Sequence, residues 1–444
     1  MKRFVLFFTL CLTAVFPAYA RLFKATEFNL SNGMPVVVIE NHKAPLIKHM
    51  VWYKAGAVDE IRGKGGVAHL LEHLMFRGTK LMKKDEFNRQ MDEMGAEHNA
   101  FTSFDVTVYH QLADVNKLEA LMAMEADRMR NLAFDAEDFA AEQKIVYQER
   151  QQVVENNPAA PFNERLNLLL RGNSPYGQPI TGQNDEIMAL TFNDARDFYA
   201  QYYAPNNAFL VLSGDIEPDL AHMLAEKYYG KLPAAEIERA EPKAQTEVFK
   251  STLEMALPNI KTTKTVQKFL LPPRKDLVGS YFDYMVLAEY LGGGETSALY
   301  QDLVVEQQAA VSVAADFYYL SRGNCVFSFS ARPNEEENFN WAWFKQIFDD
   351  AVAQAMHNLT AEELEKVKRK MIADLVYVND NPEDAAYWVG YSLAVGLTLA
   401  EVENFVEGIQ GVSLDGVKEA YDQLLAAPRV DGLLKPQETT ETAQ

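Results

Sequence analysis

The sequence predicts an α+β protein of two similar halves, each a mostly antiparallel sheet covered by helices. Three observations lead there. At 444 residues the chain is too long for one small core. Short apolar runs with the period of strands open each half and give way to longer stretches of helical character. A polar, Pro-containing stretch, KLPAAEIERAEPKAQTE at 231–247, separates two regions in which the order of elements repeats.

The elements follow in order. Residues 1–20 read as a secretory signal peptide: MKR is a basic start, Phe4 to Phe16 is apolar, and Ala18-Tyr19-Ala20 has the small-x-small form of a cleavage site. The run is short for a bilayer span and no later segment is longer, so no membrane span is expected in the mature chain. The first half, 21–230, opens with strands at 34–39 and 47–53. A helix enters through Gly65-Gly66, and another from Lys84 to Met94 stops at Gly95. Residues 97–102 and 105–112 read as a hairpin. Helices dominate 115–203, broken at Asn157-Pro158, before a strand at 209–214 and a helix at 218–229. After the linker, 231–247, the second half covers 248–434. It has strands at 251–257 and 264–271, a helix at 279–291, strands at 309–319 and 324–332, and helices over 338–425. The last ten residues, 435–444, are polar and expected to be disordered.

Composition narrows the setting. Of two cysteines, Cys11 leaves with the signal and only Cys325 remains, so no internal disulfide can form. An exported chain that relies on large cores rather than disulfides fits a bacterial periplasm. A formal charge of −21 makes nucleic acid and anionic lipid poor partners.

Chemistry concentrates in GGVAHLLEHLMFRGT, residues 65–79. Positions i, i+3 and i+4 share one face of a helix, which places His69, Glu72 and His73 side by side. Val67, Leu70, Leu71, Leu74 and Met75 bury most of the rest, so three polar groups there need compensation. Two imidazoles one turn apart can both reach a zinc ion, and Glu72 then stands where it can take a proton from a water activated by the metal. A catalytic zinc needs a third protein ligand. On the helix 135–155, Phe139, Glu142, Val146, Glu149 and Val153 fall in one stripe, so two carboxylates interrupt a face that packs inward. Spacing alone leaves a solvated acidic helix equally open.

H-x-x-E-H is the inverted zinc motif, and the chain resembles the pitrilysin/insulinase family of metallopeptidases over about Arg21 to Pro436. The resemblance implies one zinc per chain. It implies that Glu149, with 75 residues between it and His73, is the third ligand, and that Glu142 supports the site. It implies that the strand beginning Asn99-Ala-Phe-Thr-Ser103 is an open edge to which a substrate peptide adds, with Asn99, Ala100 and Phe101 as candidate contacts. Asp127-Arg-Met129, Pro175-Tyr176 and Tyr203-Ala-Pro-Asn-Asn207 also resemble family stretches, read as scaffold. The family's Arg and Tyr that hold substrate near the zinc would fall on Val304 and Val311, so both are missing. A related subunit that carries the pair and lacks zinc would supply them, which implies a heterodimer enclosing a chamber. A homodimer using Tyr300, Tyr318 or Arg322 is the alternative. Gly292-Gly-Gly294 lacks the Gly-Lys-Ser/Thr ending of a phosphate loop.

The expected function is zinc-dependent hydrolysis of peptides or unfolded segments, with His69, His73 and Glu149 on the metal and Glu72 as general base. Two other readings stand beside it. One is a non-catalytic structural or binding subunit of the same family, against which the intact ligand set argues. The other is a zinc hydrolase of a non-peptide ester or amide, which a deep closed pocket would favour.

Overall fold

The computed structural model describes residues 21–245, 250–334 and 339–437. The expected signal peptide, the end of the linker and residues 438–444 lie outside the described residues.

Eleven strands among these residues form two sheets. The first contains β1 (Thr26–Asn29), β2 (Pro35–Glu40), β3 (Leu46–Tyr53), β4 (Glu97–Thr102), β5 (Thr107–Asp114) and β6 (Ala208–Gly214) in the order β1-β2-β6-β3-β5-β4. The second contains β7 (Ser251–Leu257), β8 (Lys264–Pro273), β9 (Ala310–Tyr318), β10 (Asn324–Pro333) and β11 (Arg429–Pro436) in the order β7-β11-β8-β10-β9. Without β1, the two orders are the same. In each, the first strand pairs parallel with the last and every other pair is antiparallel. The expected repeat is therefore present as topology.

Helices follow the same duplication. The first half has α1 (Val67–Leu74), α2 (Glu86–Met94), α3 (Leu118–Asn131), α4 (Ala136–Asn156), α5 (Ala160–Arg171), α6 (Asn184–Ala189), α7 (Phe192–Tyr202) and α8 (Pro218–Tyr228). The second has α9 (Tyr281–Gly292), α10 (Trp341–Asn358), α11 (Ala361–Asp380), α12 (Pro382–Ala394), α13 (Leu399–Glu403), α14 (Phe405–Gln410) and α15 (Leu414–Ala426).

Strand β3 is central and buried on both faces, which is why it reads as an almost continuous apolar run. Its Ile47, Val51 and Tyr53 belong to the same core as Leu70, Leu71 and Leu74 of α1. Its Met50 and Trp52 face the other way, onto Ala385, Ala386 and Val389 of α12. A helix of the second half thus covers the back of the first sheet. The reverse also holds: Phe162, Leu166 and Leu170 of α5 pack on Val266, Val430 and Leu434 of the second sheet. Glycine permits both approaches. A Cβ on Gly390 of α12 would lie 2.2 Å from the Trp52 ring, and one on Gly432 of β11 would lie 2.7 Å from Phe162.

Two expectations change. The boundaries 21–230 and 248–434 do not separate the cores, because α5 and α12 each pack on the other half's sheet. The tail does not begin at Lys435, since β11 continues to Pro436 beside β7. Strand β1 is an addition to the expected order, and β11 occupies the end of the chain where only helices and a tail were foreseen.

A buried ion cluster joins the halves. Arg239 of the linker holds both oxygens of Asp59 at 2.9 Å and donates to the Asp105 carbonyl at 2.7 Å. Arg322, in the β9–β10 turn, reaches Asp59 at 3.4 Å, and Tyr176 donates to Asp105 at 2.7 Å.

Candidate metal and catalytic site

Helix α1 is short, and its start is fixed from outside. Gly66 sits at φ +88°, in the left-handed region, and a Cβ there would meet the Thr181 carbonyl at 2.5 Å. The N-cap has no side chain, so its donors turn to Glu60. That carboxylate accepts from the Gly66 N–H at 3.0 Å and the Ala68 N–H at 2.9 Å. Burial pushes the Glu60 carboxyl up to about 8, against the pull of these donors.

From that start, α1 aims His69, Glu72 and His73 at α4. The His73 Nε2 lies 3.4 Å from Glu149 Oε2, and the His69 Nε2 lies 3.9 Å from the same oxygen. Donor atoms of the three residues all lie within 4.8 Å of one another. Ligands held at about 2.0–2.2 Å around a tetrahedral ion stand roughly 3.3–3.6 Å apart, so the trio fits zinc with little adjustment. His73 Nδ1 bonds Glu142 at 3.0 Å, which turns Nε2 toward the site, and Arg77 holds the same carboxylate. Among the described residues no comparable donor set lies in the second half.

The electrostatics suit a cation. Burial, then the neighbouring His73, lowers His69 to about 4, so its imidazole is neutral and free to donate a lone pair. For His73, burial opposes protonation, but the Glu142 hydrogen bond and the charges of Glu142, Glu72 and Glu149 outweigh it and raise the pKa. Glu142 is lowered, because its bonds to His73 and Arg77 overcome its burial. Burial raises Glu72 despite the opposing bond from Thr102 and the charge of His73.

Glu72, His73, Phe76, Arg77, Asn88, Asn99 and Glu142 line an open cavity of about 340 Å³. It is a cleft rather than a closed pocket. Beside it runs β4, the outermost strand of its sheet. Ser103 N–H bonds the Val106 carbonyl at 2.8 Å, so Phe101 and Asn99, two and four residues back, also turn their peptides toward β5. Ala100 and Thr102 turn theirs outward. Ala100 N–H is held at 2.9 Å by the carboxamide of Asn99.

Phe101, like Asn99, pairs its peptide with β5, and its ring packs on Trp52 and Tyr387. Phe139 and Val146 are buried but Val153 is 40% exposed, because α4 is far longer than α1 and its end runs past the core. Arg322 is committed to Asp59 and Asp105, and the Tyr318 hydroxyl lies 3.3 Å from that of Tyr391. Val311 is exposed on β9, the edge of the second sheet, while Val304 packs on the second core. Sequence reading also overlooked Glu60, Arg77 and Thr102. Glu60 and Thr102 are unremarkable in sequence; Arg77, one turn after His73, was within reach of an i, i+4 argument.

Residues 35–183 match the family model described as Insulinase (Peptidase family M16), and residues 189–371 match the one described as Peptidase M16 inactive domain. Zinc protease PqqE of Helicobacter pylori is 28% identical over 83% of each chain. Uncharacterized zinc protease YmxG of Bacillus subtilis is 25% identical over 92% of this chain and 98% of its own. A solved protease from Helicobacter pylori superposes with TM-score 0.81 over 93% of this chain and all of its own, at 24% identity. The chain belongs to the M16 peptidase family.

Proposed function

We propose that the chain is a zinc-dependent endopeptidase acting on peptides or unfolded segments. The observation that carries this is the convergence of His69, His73 and Glu149 from two helices, with Glu72 one turn away on an open cleft. His69, His73 and Glu149 would hold one zinc ion. Bound there, zinc lowers the pKa of water and polarises a carbonyl. Glu72 takes the proton from the attacking water and delivers it to the departing amine. Glu142 fixes the tautomer and direction of His73, and Arg77 fixes Glu142. The outward peptides of Ala100 and Thr102 hold a substrate strand main chain to main chain, so sequence preference comes from elsewhere. Binding there displaces the Asn99 carboxamide from Ala100.

The same reading includes a partner and a place. The residues at the expected Arg and Tyr positions are Val304 and Val311, so a related subunit carrying that pair completes the substrate site. A homodimer is the less favoured assembly, since Arg322 is already engaged. The N-terminal pattern and the single remaining cysteine favour export to a periplasm. A purely structural subunit would have no use for Glu72.

The test is hydrolysis of a quenched, unstructured peptide library before and after chelation. Cleavage that stops on metal removal and returns with stoichiometric zinc supports the reading. Cleavage that persists without metal contradicts it.

A further inference from the structure

The structure points to Thr102 as a positioning residue that links substrate-strand pairing to the general base, and we propose this role for it. The inference rests on the peptidase reading above and deepens it. Thr102 is the last residue of β4, and its hydroxyl donates to Glu72 Oε2 at 2.5 Å. A carboxylate that must take a proton along one direction gains from having its other oxygen tied down. Charge-assisted bonds of this kind are among the strong ones.

The same residue faces the substrate. The β4–β5 register, fixed by the Ser103–Val106 bond, turns the Thr102 peptide toward the open edge. Its side chain turns toward Glu72 of α1, on the same face of the strand as those of His98, which meets Phe76 and Phe87, and Ala100, which packs on the first core. One residue therefore offers its main chain to an added strand and its hydroxyl to the base. Pairing of a peptide along Ala100 and Thr102 holds β4 in the register that sets Glu72. Hydrogen bonding, not bulk, makes the link, so serine can serve in its place and valine, which matches threonine in shape, cannot.

The experiment uses enzyme isolated by a C-terminal tag from its native host, with any subunit that accompanies it. Wild type, Thr102→Val, Thr102→Ser and Glu72→Gln are compared for zinc content, for hydrolysis of the quenched peptide library, and for binding of a fluorescein-labelled casein peptide pool to the metal-free protein. Thr102→Val is expected to lower kcat about 10- to 100-fold, the range of a lost hydrogen bond to a charged group. KM, zinc content and peptide binding stay within about twofold of wild type, and Thr102→Ser recovers most of kcat. An unchanged kcat in Thr102→Val overturns the proposal. So does a loss that appears in zinc content or peptide binding rather than kcat, or a Thr102→Ser variant no better than Thr102→Val. Failure of the underlying reading looks different: Glu72→Gln would then cleave as well as wild type.

Discussion

At the scale of the residue, the site is governed by what surrounds two histidines. His69 is buried against apolar neighbours and stays neutral down to about pH 4. His73 is ringed by Glu142, Glu72 and Glu149 and holds a proton above its ordinary 6.5. A metal must displace that proton. Zinc affinity should therefore fall about tenfold per pH unit below the His73 pKa and level off above it, with one proton released and not two. Competitive titration with a chromophoric chelator between pH 5 and 8 reads this slope. Glu142→Gln removes the bond that supports the charged imidazole, so the break should move to lower pH. The same change should cost about 10- to 100-fold in affinity above the break, because His73 loses its orienting partner. A slope of two protons, or a break that stays in place, would contradict this assignment of charges.

At the scale of the element, α1 depends on a residue that is not part of it. Glu60 closes the helix start from the preceding loop, and Gly66 lets the Thr181 carbonyl come close. Glu60→Ala leaves buried donors without an acceptor, at a cost of about 1–3 kcal/mol. Amides of residues 66–70 should then exchange hydrogen roughly 10- to 100-fold faster, read by mass spectrometry, while those of β8 and β10 do not change. Most elements were legible in the sequence because their signals are local: alternation for β2, Gly95 for the end of α2, three polar residues on one face of α1. β1 and β11 were not, because they are short or polar and owe their pairing to strands far along the chain. Val153 was misread because periodicity shows a face but not where the neighbouring helix ends. The grouping of His69, His73 and Glu149 was legible once the spacing of the resembling family was added to the helical wheel. Glu60 and Thr102 were not, because a carboxylate in a loop or a threonine at a strand end carries no pattern until its partner is in place.

At the scale of the whole molecule, the two halves hold each other. The exchange of α5 and α12 buries each sheet with a helix from the other half, and the Asp59–Arg239–Arg322–Asp105 cluster ties the linker and the second half to the loop that leads into α1. Arg322→Met should therefore act on stability. Leaving Asp105 and Asp59 short of a cation costs about 3 kcal/mol, seen as a fall of several degrees in the melting midpoint. An Arg322 that held substrate instead would raise KM and leave the midpoint unchanged. The role of Glu72 as the base of a zinc peptidase is read from one comparison. Wild type and Glu72→Gln, isolated with any accompanying subunit, are assayed on the quenched peptide library with zinc counted on the same samples. About one zinc per chain is expected in both, with a loss of at least about 100-fold in cleavage in the variant alone. Equal cleavage by the two zinc-loaded proteins would contradict it.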